Sequence, residues 1–224
     1  MRNTKYLLIL IIVILITILF LNYFMKEKNT KNNEQSKEIH PNVISEYIVR
    51  EDKLNRIEVQ NIIFLPVDVY IIKYKDTELN STRNKENIIQ LFRSVNKIWN
   101  QANISTNITK IEVLTVSDNS IYVSIERLYS YVIQTENYDK NKINAYFVKT
   151  LHGSNGIALP GNVIMVADRT TVFDFRATSH EIGHVLGLQH IGPVNRLMAR
   201  GVNGFDLTDE EIEIARRNAL IMFS

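Results

Sequence analysis

The sequence predicts a small mixed-sheet α/β or α+β domain, preceded by one transmembrane helix. Strand-like and helical patterns alternate through the last three quarters of the chain, a 20-residue apolar run lies near the amino terminus, and a polar stretch separates the two. The 224 residues suffice for one domain of about 150 residues plus extensions. We therefore expect a basic tail (1–5), a transmembrane signal anchor (6–25), a polar linker (26–50) and a folded domain (51–224).

The overall composition excludes several classes of function. The formal net charge is only +2, and lysines alternate with glutamates, so nothing indicates nucleic-acid binding. The chain contains no cysteine, which excludes disulfides, thiolate metal sites and a cysteine nucleophile. Oligomeric state is left open.

The amino-terminal segment Tyr6–Met25 has Thr17 and Asn22 as its only clearly polar side chains. Twenty residues at 1.5 Å rise match the roughly 30 Å hydrocarbon core of a bilayer. No A-x-A-like cleavage site follows, which favours an uncleaved anchor over a cleaved signal peptide. The lysines after the span do not favour an outside carboxyl terminus, whereas the short basic head is typical of an export signal. We expect a single-pass membrane protein with an extracytoplasmic domain.

The strands are predicted from apolar runs that are rich in Ile, Val and Tyr. Arg56–Lys75 predicts one or two strands with Pro66 at an edge or a break, because proline donates no ladder hydrogen bond. Asn107–Val116 alternates between apolar and polar residues. Lys142–Leu151 and Asn162–Asp168 are short apolar runs typical of buried strands.

Four segments predict helices. Apolar residues recur at three/four spacing in Arg83–Ala102, and Ser124–Gln134 is shorter. Phe175–Gly187 is expected to end at its glycine. In Leu207–Phe223 the spacing of Thr208 and Glu211 predicts a capping box.

The stretch HEIGHVLGLQH gathers three of the chain's five histidines. His180 and His184 lie one turn apart on one helical face, so both imidazoles can reach one metal ion. Gly187 can adopt the left-handed conformation that ends the helix, which lets His190 return as a third ligand. Zinc binds such imidazole nitrogens and prefers four ligands.

Three neutral ligands leave a fourth position for water, as in catalytic rather than structural zinc sites. Glu181, beside His180, can then serve as general base in hydrolysis. A bare H-E-x-x-H is only moderately specific, since core or solvated histidines also produce it. The third histidine behind a glycine makes the metal site the stronger interpretation.

These residues resemble the signature of the metzincin metallopeptidases, H-E-x-x-H-x-x-G-x-x-H followed by a methionine-containing turn. Met198 in PVNRLMARG matches that turn. The small matrixin-like prokaryotic members are the most similar, because VNKIWNQANI resembles their first helix and LTDEEIEIARRNAL their last. The resemblance implies a metzincin-like zincin fold for 51–224, one catalytic zinc ion, protein or peptide substrates, and Met198 beneath the metal without binding it.

Two further sites are predicted from less specific sequence patterns. The resemblance implies a substrate-binding edge strand at Gly156, Ile157, Ala158 and Leu159, although the same residues are equally typical of a glycine-rich turn. Asp168 and Asp174 could bind calcium, but solvated or capping carboxylates are the better interpretation.

The functional expectation is a membrane-anchored zinc endopeptidase. One alternative is a metal-dependent binding or adhesion module that has lost hydrolysis, against which the intact Glu181 argues. Another is a secreted soluble metalloprotease, released by signal cleavage.

Overall fold

The computed structural model describes residues 61–223. The predicted anchor Tyr6–Met25 and the linker lie outside these residues. Within 61–223, no helix is both long and apolar enough to span a bilayer.

The described chain forms five strands and four α-helices. The strands are β1 (Ile63–Tyr74), β2 (Ile104–Val116), β3 (Ile143–Val148), β4 (Gly156–Leu159) and β5 (Val163–Ala167). The helices are α1 (Lys85–Trp99), α2 (Ile125–Val132), α3 (Asp174–Val185) and α4 (Asp209–Phe223). The four predicted helices are present, each shorter than or equal to its predicted range.

The strands form one sheet in the order β2-β1-β3-β5-β4. All neighbours are parallel except β4, which runs antiparallel to β5. The predicted mixed sheet of an α/β domain is therefore confirmed. Because β4 is the last strand in the order, one of its edges is unpaired within the described sheet.

Strand β1 corrects one detail of the sequence prediction. It is one continuous strand between β2 and β3, so Pro66 neither breaks it nor lies on an outer strand. Pro66 pairs only with β2, since pairing with β3 begins at Val67, and a register shift follows between Val67 and Asp68. A missing N–H is tolerated there because one flank of β1 is still locally unpaired.

Alternating side chains of the sheet supply two hydrophobic cores. On one face, Leu65, Val67, Val69 and Ile71 of β1 pack with apolar residues of α1, α3 and α4. On the other face, the neighbouring β1 residues pack with α2 and the loops around it. The first core holds α3 against the sheet and thereby fixes the histidine-bearing helix.

Helix α4 begins with the predicted capping box. The Thr208 backbone N–H donates to Glu211 Oε2 (2.7 Å), and the Glu211 N–H donates to Thr208 Oγ1 (3.0 Å). These bonds satisfy two of the N–H groups that a helix start leaves without partners.

Candidate active site

Helix α3 carries the first two histidines and ends as the sequence predicts. Gly187 has φ +85°, a left-handed conformation that disfavours residues with a Cβ. The Leu188 N–H donates back to Gly183 O (2.9 Å), and the Asn218 side chain from α4 donates to Leu186 O (2.8 Å). These bonds close the helix end and turn the chain towards His190.

The three histidines converge on one point. Their Nε2 atoms form a triangle with sides of 3.1 Å (His180–His190), 3.2 Å (His180–His184) and 3.1 Å (His184–His190). Two nitrogen ligands on a tetrahedral zinc ion, at bonds of about 2.0–2.1 Å, lie about 3.3 Å apart. The donor set therefore fits zinc in both chemistry and spacing.

Two of the histidines are oriented by backbone carbonyls. His180 Nδ1 donates to Leu197 O (2.8 Å), and His184 Nδ1 donates to Leu188 O (2.9 Å). A proton fixed on Nδ1 leaves the Nε2 lone pair for a metal. Burial also lowers the pKa of His180 to about 4, which keeps its imidazole neutral near pH 7.

His190 is held differently. Arg200 Nε lies 3.1 Å from His190 Nδ1. It therefore contacts the ring nitrogen other than the one that faces His180 and His184.

Glu181 is buried beside the triangle, with 7% of its surface exposed. Burial raises its pKa to about 7, against the opposing effects of Arg176 and of a hydrogen bond from the Ala158 backbone. Strand β4 packs closely on this carboxylate: a Cβ added at Gly156 would lie 2.8 Å from Glu181 Cγ. Only glycine permits that approach without displacing the side chain.

Met198 lies in the turn after His190 and is fully buried. Its carbonyl accepts from the Ile191 N–H (3.2 Å), which ties the turn to the residue that follows the third histidine. A Cβ added at Gly183 would lie 2.6 Å from Met198 Sδ, so the methionine packs against α3 between His180 and His184.

Arg176 is a further residue of the site that no sequence motif marks. It lies on α3 one turn before His180, is only 3% exposed, and donates to the carbonyls of Leu197 (2.6 Å), Ala199 and Gly204 (3.4 Å). The Leu197 carbonyl is also the one that orients His180. Its hydrogen bonds join segments 21 to 28 residues apart, so no short motif marks them.

The residues around the histidines line a cleft of about 970 Å³. Gly156, Ile157, Ala158 and Leu159 form β4 on one wall of it, so this segment is a strand and not merely a turn. The histidines, Glu181 and Arg200 also line the cleft.

The two aspartates considered for calcium bind protein donors. Asp168 accepts from Ser81 Oγ (2.7 Å) and from Thr82 Oγ1 (2.9 Å), and Asp174 pairs with Arg83 (2.8 Å). These contacts support the structural interpretation of both carboxylates.

No family model and no curated protein matches the sequence. Among solved structures, archaemetzincin from Methanopyrus kandleri matches with a TM-score of 0.52 and 12% identity, over 71% of this chain and 98% of that one. A chain from a chaperone–substrate complex matches with a TM-score of 0.52 and 16% identity, over 71% of this chain. Metalloproteinase-II from Bacteroides fragilis reaches a TM-score of 0.48 at 17% identity, over 72% of this chain.

The matches cover 35% of the chain from the chaperone–substrate complex and 55% of the Bacteroides protein. At such identities a structural likeness shows the fold alone. The matched part of the chain therefore shares the fold of archaemetzincin.

Proposed function

We propose that this protein is a membrane-anchored, zinc-dependent endopeptidase of the matrixin-like kind. The observation that carries the proposal is the convergence of three Nε2 atoms within 3.2 Å, beside a buried carboxylate in an open cleft. The likeness in fold to archaemetzincin also supports the proposal, because the name of that protein places it among the metzincins.

In this proposal His180, His184 and His190 hold one zinc ion. When bound, zinc lowers the pKa of a water molecule and polarises a peptide carbonyl. Glu181 takes a proton from the attacking water and returns it to the departing amine. Burial raises its pKa to about 7 in the metal-free protein, and the charge of a bound zinc ion would favour the carboxylate form that accepts the proton. Met198 supports the histidines from below and binds no metal.

The substrate in this proposal is an extended segment of a protein or peptide. The edge of β4 that has no partner strand within residues 61–223 offers backbone hydrogen bonds to such a segment along the cleft. Extended segments are available in loops and in unfolded chains, so these would be cleaved before compact domains.

The test is the variant Glu181→Gln. It should lower peptide cleavage by at least about 100-fold, because the general base is lost, and it should keep the zinc content of the wild-type protein. Glu213→Gln, which alters an exposed carboxylate on α4, is the matched control and should keep full activity. Full activity of Glu181→Gln would refute the mechanism.

The alternative from another class is a metal-dependent binding module without hydrolysis. Casein digestion with and without a chelator separates the two functions. Chelator-sensitive digestion by the wild-type protein supports the peptidase, whereas stoichiometric zinc without any digestion supports the binding module.

We also propose that Tyr6–Met25 anchors the chain and that the domain is extracytoplasmic. The apolar length of this segment and the absence of an A-x-A-like site support the proposal. Mass spectrometry of the mature protein distinguishes an anchored chain that begins near Met1 from a secreted protease that begins beyond Met25.

A further inference from the structure

We propose that Arg200 selects substrates that carry a carboxylate side chain close to the cleaved bond. This inference rests on the proposed peptidase function and names the class of substrate that the site takes. It follows from the position of Arg200, from the charges of the cleft, and from the way Arg200 contacts His190.

Arg200 follows Met198 by two residues and stands beside the histidine triangle. Its side chain is exposed, lines the cleft, and places Nε 3.1 Å from His190 Nδ1. A peptide whose carbonyl lies at the three Nε2 atoms therefore passes this guanidinium within about two residues, since an extended chain advances about 3.3 Å per residue.

Arg200 is the exposed cationic side chain among the residues that line the cleft. Glu181 and Arg176 also line the cleft, but both are buried. Within residues 61–223, Arg200 forms no ion pair with a carboxylate. Among the described residues the guanidinium therefore has no carboxylate to balance its charge.

A bound substrate removes part of that solvent. Covering a charged group without giving it a partner is unfavourable, whereas a carboxylate can pair with guanidinium through two parallel hydrogen bonds. Within residues 61–223 the only hydrogen bond that Arg200 donates is the one from Nε to His190, so the other N–H groups of its guanidinium are available to a substrate carboxylate.

The test compares peptides that differ only in Asp against Asn, which are nearly equal in size, at each position around the cleaved bond. For one position, kcat/KM should be about tenfold higher with Asp in the wild-type protein. Arg200→Ala should bring this ratio close to one, and Arg200→Glu should favour Lys over Asp there. The control Arg217→Ala removes an exposed arginine of α4 and should leave the ratio unchanged.

The ratio is taken within one variant, so any change in zinc content cancels. A role of Arg200 confined to His190 would lower cleavage of the Asp and Asn peptides equally, and that result would overturn the proposal. Wild-type cleavage without any Asp preference would overturn it too, while leaving the peptidase function intact.

Binding gives a readout that needs no turnover. Zinc-loaded Glu181→Gln should bind a fluorescent Asp peptide about tenfold more tightly than its Asn counterpart, and the further change Arg200→Ala should remove the difference. Equal affinities in the presence of Arg200 would contradict the proposal. If the wild-type protein cleaves no peptide, this measurement still tests Arg200 while the proposed function fails.

Discussion

At the scale of single residues, the site contains side chains whose pKa values are shifted by burial towards the uncharged form. Burial lowers the pKa of His180 to about 4 and raises that of Glu181 to about 7. Neutral imidazoles are what a metal needs, and a carboxyl group that titrates near neutrality is what a general base needs. Burial beneath β4 and the turn after His190 supplies both conditions.

The raised pKa of Glu181 makes the stability of the zinc-free protein depend on pH. The unfolded carboxyl ionises near pH 4.5 and the folded one near pH 7, so the folded state binds more protons between these values. The contribution of Glu181 to the free energy of unfolding is fully present below pH 4.5 and is lost as the pH rises through 7. Relative to Glu181→Gln, the wild-type free energy of unfolding should fall by about 3 kcal/mol over this range.

Urea unfolding of both proteins in a chelator, at pH 4.5 to 8, measures this difference. His180 has the opposite effect, since its lowered pKa makes stability rise with pH between about 4 and 6.5. It is present in both proteins and cancels in the comparison. A difference that stays constant over the whole range would show that Glu181 is not buried as described.

Arg176 is the second residue with a specific prediction. Arg176→Met should remove the hydrogen bonds that Arg176 donates to the carbonyls of Leu197 and Ala199, which costs about 2–4 kcal/mol of folding free energy even though Leu197 O keeps its bond from His180 Nδ1. It should also weaken zinc binding about 10- to 100-fold, because Leu197 O orients His180. Urea unfolding and competition with a zinc dye measure the two effects.

Arg169→Met replaces an exposed arginine outside the cleft and provides the matched control for Arg176. It should change neither stability nor zinc affinity. Arg176→Lys keeps the charge but not the forked donor, and should lie between the wild-type protein and Arg176→Met. If Arg176→Met lost stability alone, the role in orienting His180 would be refuted.

At the scale of elements, the central contact is that between β4 and α3. Gly156→Ala would place a Cβ 2.8 Å from Glu181 Cγ and 2.9 Å from its Oε1, so the carboxylate must move. We expect kcat/KM for peptide cleavage to fall by about 10- to 100-fold, since small displacements of a catalytic group have effects of this size. Zinc content should not change, because no histidine is touched.

Gly192→Ala is the control, because a Cβ added there meets nothing within 4 Å. It should leave cleavage unchanged. Wild-type activity of Gly156→Ala would mean that β4 does not hold Glu181 in place.

The α3 helix, its end at Gly187 and the capping box of α4 could be predicted, because each depends on residues a few positions apart. The continuity of β1 through Pro66 could not, since it depends on where pairing with β3 begins. The contacts of Arg176, Arg200 and Asn218 also join distant segments and leave no local pattern.

At the scale of the whole molecule, residues 61–223 combine a five-stranded mixed sheet, whose edge strand β4 is antiparallel, with an adjoining cleft. The order of the strands could not be predicted from the sequence, because a parallel sheet is assembled by crossovers that its strands do not encode. The fold brings β4, α3 and the Met198 turn around one point. The three histidines and Glu181 therefore lie together beside the cleft and form a candidate active site.

The central claim is that the three imidazoles hold one zinc ion. Its most direct test is the metal content of the purified protein by inductively coupled plasma mass spectrometry, beside Glu181→Gln and His184→Ala. We expect about one zinc ion per chain in the wild-type protein and in Glu181→Gln, and a large loss in His184→Ala. A wild-type protein without stoichiometric metal, or a His184→Ala variant that retains it, would contradict the account.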